Sequence, residues 1–231
     1  MKDLISQLQI QVNEKIYVKD PNSSELGQKI VHHGIELIDS IGFEKFTFRK
    51  LALRIQTSEA SVYRYFESKH HLLVYILSWY WGWIEYKIVF ATTNIQDPVE
   101  KMKSALSVLC TGADKESFFH HVNVKMLNRI MTSESSKAYL VKGVDEANKE
   151  GFYAGYKRVV ARLSNIFLEI DKKYDFPHSL ASTVVEGIYH QKYFSDHLPS
   201  LTDLDGKEES ILAFYSDLIL NCLRTKTTKK R

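Results

Sequence analysis

Between Lys45 and Lys69 the chain gathers six cations, Lys45, Arg49, Lys50, Arg54, Arg64 and Lys69, against two carboxylates, Glu59 and Glu67. That surplus of four exceeds the net charge of +3 carried by all 231 residues, so positive potential is concentrated where a polyanion can be met. Within the stretch, Thr57, Ser58, Ala60 and Ser61 are short side chains, the kind that lets a helix backbone approach base edges in a major groove. Thr47, Tyr63, Arg64 and Lys69 flank them with hydroxyl and cationic donors suited to phosphate oxygens. Glu59 either accepts from a cytosine amino group or favours the dipole of its own helix, and its first-turn position favours the second role. For Arg49 and Lys50 a solvated helix face accounts as well as DNA contact, and Arg49 alone is kept as a candidate. Tyr63 has Ala60 and Glu59 as its neighbours three and four residues back, which make no apolar face, whereas Phe66 reads as core. The chemistry is recognition, not bond making. No glycine-rich phosphate loop, nucleophile elbow or H-E-x-x-H occurs, so the chain is read as a non-enzyme with no cofactor.

These side chains need short helices to hold them. Asn22 and Glu25 stand at capping-box spacing, so a first helix is expected from about Ser24, with Leu26, Ile30, Leu37, Ile38 and Ile41 inward and Gly42 stopping it. Thr47 is expected to cap a second helix over 48–54, and Ser58 a third over 58–66, with Leu51, Ala52, Ile55, Val62 and Phe66 as the shared core. Ser68 should cap a long fourth helix with its body at 69–91. Further amphipathic helices are expected near 99–110, 115–132, 136–149, 152–171, 178–197 and 208–224. Only 10 Gly and 4 Pro punctuate the length and strand-like alternation is nearly absent, so the fold class is all-α.

The order and spacing of Gly42, Thr47, Arg49, Leu51-Ala52, Ser58, Ser61, Val62, Tyr63-Arg64-Tyr65-Phe66 and Ser68-Lys69 resemble the DNA-binding domain of the TetR family of bacterial transcriptional regulators. The resemblance implies an N-terminal three-helix helix-turn-helix domain followed by a larger helical regulatory and dimerisation domain. It makes 58–66 the reading helix, puts Thr57 to Ser61 near the bases and makes Thr47, Tyr63, Arg64, Tyr65 and Lys69 the phosphate set. One departure is Gln56, where the family has glycine in the turn; a left-handed Gln costs about 1 kcal/mol more than Gly. The implied function is a ligand-responsive repressor that binds a palindromic operator in double-stranded DNA as a homodimer, through helices near 178–197 and 208–224. The alternative kept open is a helical ligand-binding or enzymatic protein whose helix-turn-helix unit is structural.

The expected organisation is an N-terminal arm at 1–22, the helix-turn-helix domain at 23–69, a ligand-binding and dimerisation domain at 70–224, and a basic tail at 225–231. An apolar pocket for a small apolar or aromatic ligand is sought among Trp79, Tyr80, Trp83, Tyr86, Phe118, His121, Met126, Tyr153 and Tyr156, although aromatic stripes more often form core. Leu72 to Phe90 approaches membrane-spanning length, but Glu85 and Lys87 lie inside it and its aromatic residues fill the middle, so a buried helix is expected and no membrane. Residues 1–20 carry charges throughout and do not read as a signal peptide, and Cys110 and Cys222 suggest neither a disulfide framework nor a thiolate zinc site; both fit a cytoplasmic protein. Glu186, His190 and His197, and the pair His120-His121, are read as satisfied or exposed side chains and not as metal ligands.

Overall fold

The computed structural model describes residues 10–111 and 124–224, and every described regular element is helical. The helices run α1 (Glu25–Lys45), α2 (Phe48–Arg54), α3 (Glu59–Tyr63), α4 (Lys69–Thr92), α5 (Pro98–Thr111), α6 (Val124–Glu134), α7 (Ser136–Tyr139), α8 (Val144–Lys149), α9 (Ala154–Ile170), α10 (Pro177–His197) and α11 (Glu208–Arg224), with short 3₁₀ turns at Glu14–Ile16, Pro21–Ser23 and Pro199–Leu201. The all-α expectation is met.

Local chemistry accounts for the starts. Ser24 accepts from the Gly27 amide, Thr47 from Lys50 and Ser58 from Ser61, each satisfying an amide that a helix N-terminus leaves without a carbonyl. Ser68 accepts from the His71 amide at 3.3 Å and starts α4 in the same way. The cap of α1 is therefore Ser24 itself, while Asn22 belongs to the preceding 3₁₀ turn. Gly42 sits at φ 76° and breaks the regular helix where a stop is expected, with Phe43–Lys45 forming one more turn beyond it.

The described residues pack as two units, one comprising 10–83 with 124–155, the other 84–111 with 156–224; the division falls inside α4. In the first unit Ile30, Ile35, Ile38, Phe46, Leu51, Val62, Phe66, Leu72 and Leu73 are fully or almost fully buried. This unit extends beyond the expected 23–69 segment, because α6 docks on α1: Arg129 donates twice to Asp39, at 2.7 and 2.6 Å, and Glu134 accepts from the Phe43 amide at 3.0 Å. In the second unit Glu85 accepts from both Arg158 and Arg162, at 2.6 and 2.9 Å, and Gly187 lets Tyr215 of α11 lie directly against α10.

One expectation needs adjustment. The single helix at 136–149 is two short ones, interrupted where Leu140 is exposed and Gly143 offers no side chain to pack. Of the helix expected at 115–132, positions 124–132 are helical, within a helix that runs from Val124 to Glu134, and positions 115–123 lie outside the described residues. Leu72 to Leu77 of α4 are buried in protein, and no helix among the described residues is long and apolar enough to cross a membrane.

Candidate nucleic-acid interface

The turn between α2 and α3 is closed by backbone bonds from Ile55 to Leu51, Gln56 to Leu53 and Thr57 to Ala52, at 3.0, 3.3 and 2.9 Å. Gln56 takes φ 54°, the left-handed conformation expected at the position where the resembling domains have glycine. Val62 of α3 and Leu51 of α2 are 0% exposed and Ala52 of α2 is buried, and the two helices pack against each other. With that face inward, the opposite face must look outward.

Ser58, Glu59, Ala60, Tyr63 and Arg64 are exposed, and Thr57 and Ser61 are half-buried. The Ser58 hydroxyl is also 2.8 Å from the Ser61 hydroxyl, so the two short side chains are held together at the start of the helix. Tyr63 is 49% exposed while its ring meets Phe48 edge-on at 5.0 Å, leaving the phenol end free to reach outward from a fixed base. Thr47, Arg49 and Lys50 stand exposed at the start of α2. The outward side chains thus place short residues at the start of α3, with hydroxyls and cations nearby.

Two members of the expected phosphate set have other places. Tyr65 is 4% exposed, its hydroxyl lies 2.7 Å from the Ser24 hydroxyl, and its carbonyl accepts from the Val18 amide at 2.9 Å, so it packs the end of α3 and does not face outward. Lys69 directs Nζ to the carbonyls of Phe43, Glu44 and Phe46 at 3.0, 3.2 and 3.3 Å, which uses the three donors of an ammonium on protein. It fixes the joint between α1 and α2. The same joint is held from the other side by Glu134, whose buried carboxylate pairs with Lys137 at 2.6 Å. Glu134 is a residue that sequence reasoning missed; a buried acid 91 residues downstream of Phe43 leaves no local signal.

Other cations of the stretch are also tied in. Lys50 donates to the Lys45 carbonyl at 2.7 Å, and Arg54 to Glu36 at 3.1 Å. Glu36 additionally meets His33 at 2.8 Å and His32 at 3.5 Å, a group whose potential ligand atoms lie within 4.8 Å of one another. The His33 hydrogen bond, helped by Arg54 and opposed by burial, holds the Glu36 carboxyl below its usual range. This cluster fastens α2 to α1. Of the other expected bystanders, Glu186 accepts from Tyr156 at 2.5 Å, His190 stacks on Phe194 and His197 tilts against Tyr193, while His120 and His121 lie outside the described residues.

The residues expected to line a pocket divide between the two units. Trp79, Tyr80, Trp83, Met126 and Tyr153 belong to the first, Tyr86 and Tyr156 to the second, and Phe118 and His121 lie outside the described residues. Tyr80 donates to Asn128 at 2.7 Å and Tyr153 to the Ala138 carbonyl at 3.0 Å, so both are bonded members of the first unit's interior.

Comparison with known proteins bears directly on this surface. Residues 30–76 match the bacterial regulatory proteins of the tetR family. No curated protein matches the chain. Among solved structures, a bacterial regulatory protein in the tetR family from Rhodococcus RHA1 aligns over 87% of this chain and 97% of its own at 16% identity and a TM-score of 0.62. AibR, described in complex with isovaleryl coenzyme A and operator DNA, aligns over 83% and 97% at 17% identity and 0.56. The fatty acid degradation regulator FadR from Bacillus halodurans aligns over 88% and 96% at 15% identity and 0.55. The fold extends across both units.

Proposed function

Taking the chain as a TetR-family regulator, with a DNA-binding domain at residues 30–76, we propose that it acts as a homodimeric repressor that reads a palindromic operator and releases it when a small ligand binds. The observation that carries the reading is the outward presentation of Ser58, Glu59, Ala60, Tyr63 and Arg64 on a helix whose other face is locked by Val62.

In this reading Ser58 to Ser61 approach base edges, and Thr47, Arg49, Tyr63 and Arg64 contact phosphates. Two copies join through α10 and α11, where Phe214 remains 45% exposed and an apolar face is available for burial. The dimer sets the distance between the two reading helices and so the half-site spacing. A ligand that favours another placement of α4 moves the reading helices out of step with the groove and weakens binding. That AibR is described with both an acyl coenzyme A and operator DNA supports ligand control on this fold; an apolar or aromatic ligand suits the aromatic residues of α4. The reading places the protein in the cytoplasm with the DNA, and it assigns no cofactor and no catalysis.

Selection of bound duplexes from random DNA tests this directly. A palindrome is expected, bound with an affinity that falls steeply with salt. Recovery of no enriched sequence, with the protein folded and dimeric, would favour a structural role for the helix-turn-helix unit.

A further inference from the structure

The residues ahead of α1 are anchored at three levels of the first unit. Ile10 fills the space over Gly82, where an added Cβ would lie 2.5 Å from its Cγ2. Asn13 donates to the Glu150 carbonyl at 2.7 Å, Lys15 pairs with the Glu150 carboxylate, and Ile16 is completely buried. Tyr17 meets the buried Tyr75 edge-on at 6.0 Å, and Asn22 donates to the Tyr75 hydroxyl at 3.2 Å. Pro21 is buried against Gly27, where any Cβ would lie 2.3 Å from the Pro21 carbonyl oxygen.

The near end of this segment converges on one residue. The Val18 amide donates to the Tyr65 carbonyl at 2.9 Å, Lys19 lies 5.2 Å from the centre of the Tyr65 ring, and the Ser24 hydroxyl meets the Tyr65 hydroxyl at 2.7 Å. Tyr65 directly follows Arg64, the residue that closes α3. The backbone at the end of the reading helix is therefore held from outside the helix-turn-helix sequence. Val18 itself is 59% exposed, so its amide makes the link while its side chain largely faces solvent.

We infer that residues 13–19 are a positioning strap: bound to Tyr65 at one end and to Glu150 at the other, they set the placement of α3, and with it the aim of Ser58 to Ser61 at base edges, and so tune discrimination between DNA sequences without touching DNA. This rests on the DNA-reading function above. Sequence-specific contacts demand accurate aim, whereas attraction to phosphates tolerates small displacements. Loosening the strap should therefore cost specific binding and spare non-specific binding.

The experiment uses the full chain and two duplexes, the one recovered by selection and a scrambled version of it, titrated by fluorescence anisotropy over a series of salt concentrations. Val18→Pro removes the amide donor, Val18→Ala keeps it, and a double variant, Asn13→Ala with Lys15→Ala, removes both bonds to Glu150 at the far anchor. Val18→Pro should weaken the selected duplex about three- to tenfold, the scale of one net hydrogen bond, with the scrambled duplex within about twofold and the salt slope unchanged. Val18→Ala should bind like the parent, and the double variant should weaken the selected duplex in the same selective sense. If Val18→Pro does not fold, the double variant carries the test alone. Parental behaviour of both variants, or equal losses on both duplexes, overturns the strap. A parent chain that prefers neither duplex overturns the DNA reading instead, a result visible before any variant is made.

Discussion

Gln56 and Lys69 show how much depends on single backbone and ammonium positions. At φ 54° Gln56 occupies a conformation that penalises a Cβ, and the turn it makes sets α3 against α2. Gln56→Gly should raise stability by about 0.5–1 kcal/mol, since relief of the left-handed strain exceeds the added freedom of the unfolded chain; denaturant unfolding reads it. Lys69 gives its three hydrogen bonds to the carbonyls of Phe43, Glu44 and Phe46. Lys69→Ala should accordingly cost about 1–3 kcal/mol of stability while leaving the salt slope of DNA binding as it was. A slope reduced by about 1 per half-site, with stability intact, would return Lys69 to the phosphate set.

At the scale of elements, the caps at Thr47, Ser58 and Ser68 were legible because capping is decided within three residues, whereas α1 is capped by Ser24 and not by Asn22, and the left-handed turn at Gln56 was implied by the resemblance, which has glycine there. Tyr65 was not legible: its partners Val18 and Ser24 stand 47 and 41 positions away, and its neighbours Arg64 and Tyr63 look outward. The arm before α1 gave mixed periodicity for the same reason, since Asn13 and Glu150 are separated by 137 positions. The start of α4 makes a further prediction. Burial, reinforced by neighbouring His71 and partly offset by the Ala138 carbonyl, lowers the His70 pKa, and His70 Nε2 is buried without a hydrogen-bonding partner. The unfolded chain takes up the proton first, so stability is full above about pH 6.5 and falls as the pH drops below it. Thermal unfolding between pH 7.5 and 5.5 should show a steeper loss in the parent than in His70→Gln, and equal slopes would remove His70 from the account.

On the scale of the whole molecule, local chemistry sets the outward face of α3 in the first unit, while the proposed ligand and partner sites would follow from long-range packing that periodicity alone does not resolve. The aromatic set on α4 illustrates this: the helix is apolar all round, with Leu72 to Leu77 and Trp79 to Trp81 buried in succession, so no face is singled out, and burial in a helical core is the same signal whether or not a ligand is nearby. The central claim is that duplex DNA meets the Ser58-capped helix. Amide hydrogen exchange with and without the selected duplex measures it most directly. Protection should appear over 57–64 and at 47–50; full binding of the duplex with exchange at those amides unchanged would contradict it.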